Sequence, residues 1–246
     1  FLLLAMTALF AALLHGRLVM ARPLPLSSVI IIGNWIPLGL ALVIGVIWGR
    51  KSIALWRRVL ISVVLAAVAI FSLAQPFMGT RPSIVASMWS NDVLLQSDRA
   101  TCSPAAAAML LRAHRIEATE QEMADLCLTN AEGTPVLGLY RGLKQKVSDT
   151  QLRVVPFHAT VDTLLAADRW PVLLLVRLDN SKDLDARYEN EWGWTPGVGH
   201  TVVVFGRLGD DRIDMGDPSI GREQWTVDDL RVLWHGEGIR LECSGS

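Results

Sequence analysis

Cysteine is scarce in this sequence, which has only Cys102, Cys127 and Cys243 among its 246 residues. Three cysteines are too few for a disulfide-built domain, and none of them stands in a Cys-x-x-Cys pair that would bind zinc or carry thiol redox chemistry. We therefore expect no metal site. Cys127 and Cys243 are interpreted as structural, either as buried thiols or, in an oxidising compartment, as a disulfide pair.

An excess of charge of either sign is also missing. The chain has 23 basic and 24 acidic residues and a formal net charge of -1. Because nucleic-acid-binding domains carry a basic surface, we expect no nucleic-acid partner. The sequence also lacks a Gly-x4-Gly-Lys-Ser/Thr phosphate loop. That excludes an ATP-binding cassette from these residues, and we expect no cofactor.

Long apolar runs are what the sequence has in abundance. Hydrophobic residues make up 51% of the chain, and they concentrate before residue 78. Residues 29–48 and 59–78 carry no charge, and each run has about the 20 residues that a helix needs to cross a bilayer. We interpret the shorter run at 1–14 as the end of a third span rather than a signal-peptide core, because two more spans follow. Since the sequence opens on Phe1, we also expect residues upstream of it.

Asn34 and Pro37 interrupt the run at 29–48. Polar and helix-breaking residues inside a span serve either helix packing or a transport pathway. We favour packing, because the run contains no carboxylate or lysine that would pair with a transported ion or proton.

Basic residues flank this run unequally, and the asymmetry predicts its orientation. The following loop has four and the preceding loop two: Arg50, Lys51, Arg57 and Arg58 against Arg17 and Arg22. Because cytoplasmic loops carry the excess of Lys and Arg, we expect residues 49–58 to face the cytoplasm. The next span then runs outward. We thus predict a multi-pass membrane protein in contact with the lipid bilayer, with everything after Pro76 extracytoplasmic.

The rest of the chain has the pattern of a soluble domain at 95–246, joined to the membrane region 1–78 by a linker at 79–94. Helical patterns cover residues 102–114, 120–127, 136–147, 161–168 and 227–233, and strand patterns cover 171–178, 201–206 and 212–215. Helices followed by strands predict an α+β fold. The one unusual loop, at 179–199, is acidic and carries Trp192 and Trp194.

Cys102 stands at the start of the first helix of this domain. A thiol is a nucleophile only as its thiolate, and the positive end of a helix dipole and a nearby imidazole both lower its pKa. Gln96, six residues earlier, is the candidate donor for an oxyanion held over the sulfur. A lone cysteine in this position is more often a small buried residue, so the nucleophile hypothesis depends on its partners.

A base and a carboxylate occur downstream. His200 opens a valine-rich strand, and Asp217 ends the next strand. A hairpin would bring the two together, and Asp217 would then fix the tautomer of the imidazole. Taken alone, His200 fits a core histidine and Asp217 fits an ordinary turn residue. Together with Gln96 and Cys102 they predict a thiol nucleophile with its base, its orienting carboxylate and its oxyanion donor.

The order of these motifs resembles the C39 peptidases and their C39-like relatives. It contains Gln-x5-Cys at Gln96 and Cys102, Gly-His at His200, Asp-Pro at Asp217 and Trp-x-Gly at Trp234. The resemblance covers residues 95–241. It implies a papain-like cysteine peptidase domain with Gln96, Cys102, His200 and Asp217 as the catalytic set. It also implies a peptide or protein substrate, which in this family is often a leader peptide cut after paired glycines.

Two positions beside Cys102 depart from the transporter-linked members of that family. Thr101 stands where they usually have Asp, and Ser103 where they commonly have Gly. The sequence is in this respect closer to the stand-alone C39-like group, so we do not extend the paired-glycine rule to it.

Two functions fit the sequence. The first is a membrane-anchored cysteine peptidase that cleaves peptides near the bilayer surface. The second is a non-catalytic papain-like subunit that binds a partner within a larger membrane protein complex, with the spans docking it there. The presence of all four catalytic residue types favours the enzyme.

Overall fold

The computed structural model describes residues 2–85, 88–180 and 185–244. Phe1, residues 86–87 of the predicted linker, residues 181–184 of the tryptophan-containing loop and the last two residues of the predicted domain lie outside the described residues. The N-terminal part is helical, with α1 at Leu2–Leu13, α2 at Val29–Ile32, α3 at Ile36–Gly49 and α4 at Leu55–Ala74.

Two helical stretches are long and apolar enough to cross a membrane, judged by length and composition: Val29–Gly49 and Leu55–Phe77. They correspond to the second and third predicted spans. The helix α1 is also apolar, but its 12 residues extend over about 18 Å, which is less than the roughly 30 Å of a hydrocarbon core. In the part of the chain described, the first predicted span is therefore shorter than a full crossing.

The second span is not one continuous helix, because the chain breaks between α2 and α3 around Asn34. The Asn34 side chain accepts a hydrogen bond from the Ile36 N–H at 3.2 Å and donates one to the Ser72 carbonyl on α4 at 2.9 Å. The asparagine is buried, with 7% of its surface exposed. A polar side chain thus satisfies the interrupted backbone and joins two apolar helices, in agreement with a packing role.

The domain that follows contains a two-stranded and a six-stranded sheet. Its helices are α5 Cys102–Ala113, α6 Glu120–Leu126, α7 Val136–Lys146, α8 Val161–Ala167, α9 Arg187–Asn190 and α10 Val227–Leu233. Its strands are β1 Met88–Ser90, β2 Val93–Leu95, β3 Leu152–His158, β4 Val172–Arg177, β5 Gly199–Leu208, β6 Arg212–Asp217, β7 Gly221–Thr226 and β8 Trp234–Cys243. The large sheet is antiparallel in the order β3-β8-β4-β5-β6-β7.

Both faces of the large sheet are covered, and the alternation of side chains along β4 and β5 explains why. Leu173 and Val203 belong to a core shared with α5, α6 and α7. Their neighbours Val172, Val202 and Val204 belong to a second core with α8 and α10. Successive strand residues point to opposite faces, so a continuous apolar run marks a strand that is buried on both sides. Among the helices that cover the sheet, α5 packs against β5. This contact positions the candidate site.

The loop between α1 and α2 is part of the first core. Its short helical turn Leu18–Ala21 packs on α7 and β3, and Leu18, Met20 and Ala21 are at most 5% exposed. Val29 and Ile30 of α2 join the same cluster. The membrane-region prediction had placed these residues outside the domain, whereas the structure uses them to complete its helical layer.

Most predicted elements of the domain are present. All five predicted helices are confirmed to within a residue or so of their ends, and all three predicted strands are confirmed. The sequence analysis missed β3, β7 and β8, together with the β1–β2 hairpin that lies at the predicted linker. The division of the chain at residues 78 and 95 stays a prediction.

Candidate active site

Cys102 is the first residue of α5, and a tight loop places it there. In that loop the Thr101 hydroxyl donates to the Asp98 carbonyl at 2.8 Å, and the Asp98 carboxylate accepts from the Ala100 N–H at 2.9 Å. These local bonds satisfy polar groups that would otherwise be exposed at the start of the helix. The half-buried thiol therefore lies at the end of α5 where the helix dipole favours negative charge.

His200 is the second residue of β5, and Asp217 is the last residue of the adjacent strand β6. His200 Nε2 donates to Asp217 Oδ1 at 2.8 Å. The same oxygen accepts the Ser219 N–H at 2.7 Å and the Ser219 hydroxyl at 2.6 Å. Asp217 is 1% exposed, so three short bonds hold a buried carboxylate and fix the orientation of the imidazole.

The His200 ring also lies close enough to the thiol of Cys102 for each to shift the pKa of the other. Because Asp217 occupies Nε2, Nδ1 is the ring nitrogen left for the sulfur. The structure thus brings Cys102, His200 and Asp217 together, with His200 hydrogen-bonded to Asp217 and interacting with the thiol. Their catalytic roles stay a prediction.

Gln96 lies beside these three residues rather than among them. Its backbone N–H donates to the carbonyl of Pro218, the residue after Asp217, at 2.8 Å. Its side-chain Nε2 donates to the Asp98 carbonyl at 3.1 Å. Among the described contacts, the Gln96 amide bonds to its own loop and not to Cys102. The amide nitrogen carries two hydrogens, so one remains for a second acceptor.

The model of the Peptidase C39 family matches residues 90–183 of the chain. The matched residues include Gln96 and Cys102 and end before His200 and Asp217. Together with the α+β architecture behind an apolar helical region, the match confirms the predicted fold class and family. No curated protein matches the chain.

The solved structures that are similar to this chain include three peptidase or peptidase-like domains. The peptidase domain of Streptococcus ComA, a bi-functional ABC transporter, is 20% identical, with 61% of this chain and 97% of that chain covered and a TM-score of 0.47. A double glycine motif protease from an AMS/PCAT transporter, in complex with the leader peptide, is 14% identical, with coverage of 67% and 94% and a TM-score of 0.48. The C39-like domain of a toxin secretion ATP-binding protein from Vibrio parahaemolyticus is 12% identical, with coverage of 60% and 98% and a TM-score of 0.39.

The electrostatics of the candidate site favour a charged Cys102–His200 pair. Burial by itself raises the pKa of the Cys102 thiol, but the hydrogen bond and charge of His200, with bonds from Ser103, outweigh it and lower the pKa below its ordinary value of 9.0. Burial likewise lowers the pKa of His200, but the bonds to Asp217 and Cys102 outweigh it and raise the pKa to about 10. The interaction therefore favours the thiolate form of the sulfur and the imidazolium form of the ring.

Asp217 stays ionised beside this pair. Burial raises the pKa of its carboxyl group, yet the hydrogen bond and charge of His200 and the two bonds from Ser219 bring the pKa below its ordinary value. A buried carboxylate that is bonded three times is a fixed negative charge for the imidazolium. The arrangement can therefore supply a nucleophilic sulfur and a proton donor.

A second contact joins the two elements that carry the sulfur and the imidazole. Ser103 follows Cys102 on α5 and Thr201 follows His200 on β5, and their hydroxyl groups share a hydrogen bond of 2.7 Å. Both residues are buried. This bond fixes the position of α5 along β5. It therefore also fixes the distance between the Cys102 thiol and the His200 ring.

Sequence reasoning missed three residues near the site. Ser219 bonds to Asp217, Glu223 faces Asp217 and His200 from β7, and the Trp194 ring lies edge-on to the His200 ring at 5.6 Å between centroids. The Asp-Pro-Ser sequence is a turn signal that could have indicated Ser219. The pairing of β6 with β7, which brings Glu223 to the site, leaves no such signal in the sequence.

The other two cysteines lie outside the site. Cys127 is a free thiol that is completely buried between α6 and α7, and burial raises its pKa to about 12. Cys243 is exposed at the end of β8. Cys127 is thus a buried thiol, and the alternative of a disulfide between the two is not what the structure contains. Among the described residues, no group of three or more His, Cys, Asp or Glu side chains is arranged to hold a metal ion.

Proposed function

We propose that the protein is a membrane-anchored cysteine peptidase, in which Cys102 is the nucleophile, His200 the acid and base, and Asp217 the residue that orients His200. The observation that carries the proposal is the grouping of these three side chains at the start of α5, with His200 bonded to Asp217 and interacting with the Cys102 thiol. The family of residues 90–183 supports the same chemistry. The substrate class is a peptide or protein, as in the AMS/PCAT domain that was solved with its leader peptide.

In this reaction the Cys102 thiolate attacks the carbonyl carbon of the scissile peptide bond and forms a tetrahedral oxyanion. The imidazolium of His200 gives its proton to the leaving amine, and an acyl-enzyme thioester remains. Neutral His200 then takes a proton from the water that attacks the thioester, which releases the second product and restores the pair. Asp217 keeps the ring in place and stabilises its positive charge.

The oxyanion requires donors that are already in position. The amino-terminal end of α5 offers its partial positive charge to an oxygen beside Cys102. We assign the free hydrogen of the Gln96 amide to the same oxygen, because the Pro218 contact holds Gln96 next to the Asp217 turn. This role requires the Gln96 side chain to keep its bond to Asp98 while it donates to the substrate.

We further propose a multi-pass anchor within residues 1–78, a linker at 79–94 and the peptidase domain at 95–246. Two stretches have the length and composition of spans, and Trp48 and Trp56 beside the basic loop are exposed, as aromatic residues at a membrane interface are. The α1–α2 loop packs on the domain, so both lie on one side of the bilayer. The four basic residues at 50–58, which lie in the α3–α4 loop and at the start of α4, favour the extracytoplasmic side for the domain.

The peptidase activity is tested with the full chain and a complex peptide library, with new peptide termini identified by mass spectrometry. We expect cleavage that is lost in Cys102→Ala and His200→Ala and kept in the matched control Cys243→Ala, which alters an exposed thiol outside the site. Absence of cleavage that depends on Cys102, together with slow alkylation of Cys102 that does not respond to His200→Ala, would support the non-catalytic subunit instead.

The orientation is tested separately, with single cysteines introduced at Ser52 in the basic loop and at Asp210 in an exposed turn of the domain. A membrane-impermeant maleimide on intact cells should label the cysteine at position 210 and spare the one at position 52 until the membrane is permeabilised. The reverse pattern would contradict the extracytoplasmic placement and leave the peptidase proposal untouched.

A further inference from the structure

The chain between β4 and β5 returns to the active site as a strap, defined here as residues 185–198. It contains the short helix α9 at Arg187–Asn190 and ends one residue before β5 and two before His200. Trp192 and Trp194 lie in its second half. No step of the proposed reaction uses this segment, yet it lies directly against the imidazole.

The start of the strap is tied to α10. The Tyr188 hydroxyl donates to Asp229 Oδ1 at 2.9 Å, and Arg187 forms an ion pair with the same carboxylate. Tyr188 is 3% exposed and Asp229 is 2% exposed. Asp229 also caps α10 through Thr226, so its position is fixed independently of the strap. Charge-assisted bonds to a buried carboxylate make this a firm anchor.

The second half of the strap is held by rings and by backbone bonds. The Trp194 N–H donates to the Tyr188 carbonyl at 2.9 Å, and the Gly197 N–H donates to the Leu178 carbonyl at 2.8 Å. Trp192 and Trp194 both pack on the buried ring of Trp225, with centroid distances of 6.3 and 5.9 Å. Trp194 is thus fixed through its backbone on one side and its indole on the other.

Trp194 in turn contacts the ring that the reaction needs. Its indole stands at 82° to the His200 imidazole, with 5.6 Å between centroids. An imidazole that must face a thiol with one nitrogen and a carboxylate with the other works in one rotamer, and a ring packed against its side excludes the alternatives. We expect the same indole to limit the access of water to His200, where water would compete for its bond to Asp217.

We propose that Trp194 is a positioning residue for His200, and that the strap anchored on Asp229 holds its indole against the imidazole. The inference rests on the proposed function, because that function requires an oriented His200. The structural claim itself does not depend on peptidase activity. It states that the orientation of His200 toward Cys102 depends on an aromatic ring from another loop.

Removal of the indole has two opposing electrostatic effects, and the proposal commits to one result. Exposure to water relieves the burial that disfavours both charges, which would lower the pKa of Cys102 further. Loss of ring orientation and of the shielded bond to Asp217 weakens the interactions that outweigh burial, which would raise that pKa. Among the described residues, the titratable groups facing His200 are Cys102 from α5, Asp217 from β6 and Glu223 from β7. If positioning dominates, the pKa rises.

The test measures the alkylation rate of Cys102 by iodoacetamide against pH in the full chain, with peptide mass spectrometry separating the three cysteines. For Trp194→Ala we expect the pH midpoint to rise by about one unit, which lowers the rate at acidic pH roughly tenfold. Trp194→Phe, which keeps a ring, should recover most of the loss. The matched control is Trp170→Ala, since Trp170 lies before β4, at the opposite end of that strand from the pairing of Val176 with His200.

An unchanged pH midpoint in a Trp194→Ala protein with native circular dichroism would overturn the proposal. A downward shift would also overturn it, because the indole would then act only by excluding water from the site. If Trp194→Ala fails to fold, Trp194→Phe against Tyr188→Phe, which loosens the anchor and keeps the rings, decides between the same outcomes. Because alkylation needs no peptide substrate, a shifted midpoint without peptidase activity would retain this inference and reject the proposed function.

Discussion

At the scale of single residues, the coupled ionisation of Cys102 and His200 leads to a prediction about pH. The thiolate forms above the lowered pKa of Cys102, so alkylation should already be fast well below pH 9.0. The imidazolium loses its proton near pH 10, so kcat/KM for peptide cleavage should fall above that pH as the acid disappears.

In His200→Ala the acid limb of the alkylation profile should move up toward the ordinary thiol value, because the bond and charge that favour the thiolate are gone. Iodoacetamide rates from pH 5 to 10 measure both limits. Cys243 in the same molecule is the internal control, and its rate should not respond to the substitution. Equal profiles for wild type and His200→Ala would contradict the ion pair.

Gln96 should separate transition-state stabilisation from thiol reactivity. If its amide donates to the oxyanion, Gln96→Ala lowers turnover by roughly a hundredfold or more. Alkylation of Cys102 forms no oxyanion and should change little. Steady-state cleavage and alkylation rates on the same preparation test this, and Gln145→Ala on α7 is the control for loss of an amide outside the site. A parallel fall in both rates would mean that Gln96 serves the structure of the loop.

The site residues could be predicted from the sequence to different degrees, and the reason is their dependence on contacts. Cys102 and Gln96 lie in one short segment, and the start of its helix can be predicted from the sequence. His200 and Asp217 lie at the ends of two predicted strands that a short hairpin connects. Glu223 reaches the site only because β7 pairs with β6. Trp194 reaches it only because Tyr188 finds Asp229 some forty residues away. Long-range pairings of this kind leave no periodic signal in one sequence.

At the scale of elements, the bond between Ser103 and Thr201 holds α5 to β5. Thr201→Val leaves a buried hydroxyl without its partner, and we expect a loss of about 1 to 3 kcal/mol in the free energy of unfolding. Ser103→Ala combined with Thr201→Val removes both polar groups and should restore part of that loss. Denaturant unfolding of the single and double variants measures the coupling. Strict additivity would show that the two hydroxyl groups do not depend on each other.

The contact between α6 and α7 depends on a glycine. A Cβ atom at Gly138 would meet the backbone carbonyl of Cys127 at 2.1 Å, and a backbone atom cannot turn away as a side chain does. We expect Gly138→Ala to lower the free energy of unfolding by about 1 to 3 kcal/mol. Gly206→Ala is the matched control, since a Cβ atom there meets nothing within 4 Å. Gly209→Ala would not serve as a control, because Gly209 has a positive φ that alanine disfavours.

The missed strands β3, β7 and β8 lack continuous apolar runs, and two of them lie at the edges of the sheet. β3 contains Pro156 and the charged Arg153, β7 alternates charged and polar residues, and β8 opens with Trp-His-Gly-Glu-Gly. β3 and β7 are the two edges of the sheet, where proline and charge are tolerated and apolar periodicity is weak. The central strands β4 and β5 are buried on both faces and therefore read clearly as apolar runs.

At the scale of the whole molecule, the helical region and the domain share one core, which predicts that neither is stable alone. Met20 in the α1–α2 loop is 5% exposed, whereas its neighbour Val19 is 42% exposed. Met20→Ala should cost about 2 to 5 kcal/mol of stability, and Val19→Ala should stay within about 0.5 kcal/mol. Thermal unfolding in detergent, followed by near-ultraviolet circular dichroism of the domain tryptophans, measures both. Equal, small effects would show that the loop only rests on the domain.

The domain is attached to the apolar helices at a second place, where the chain leaves α4. The Ala131 N–H donates to the Thr80 carbonyl at 2.8 Å, and Arg81 pairs with Asp125 at 2.9 Å. A body attached at one point can swivel about it, whereas a body attached at two points on different segments cannot. In a membrane the active site would then keep one distance from the lipid surface and one orientation relative to it. The distance of the active site from the bilayer, more than side-chain fit, would decide which peptide bonds such an enzyme cleaves. In an extended substrate that leaves the membrane, this distance corresponds to a set number of residues, at about 3.3 Å per residue.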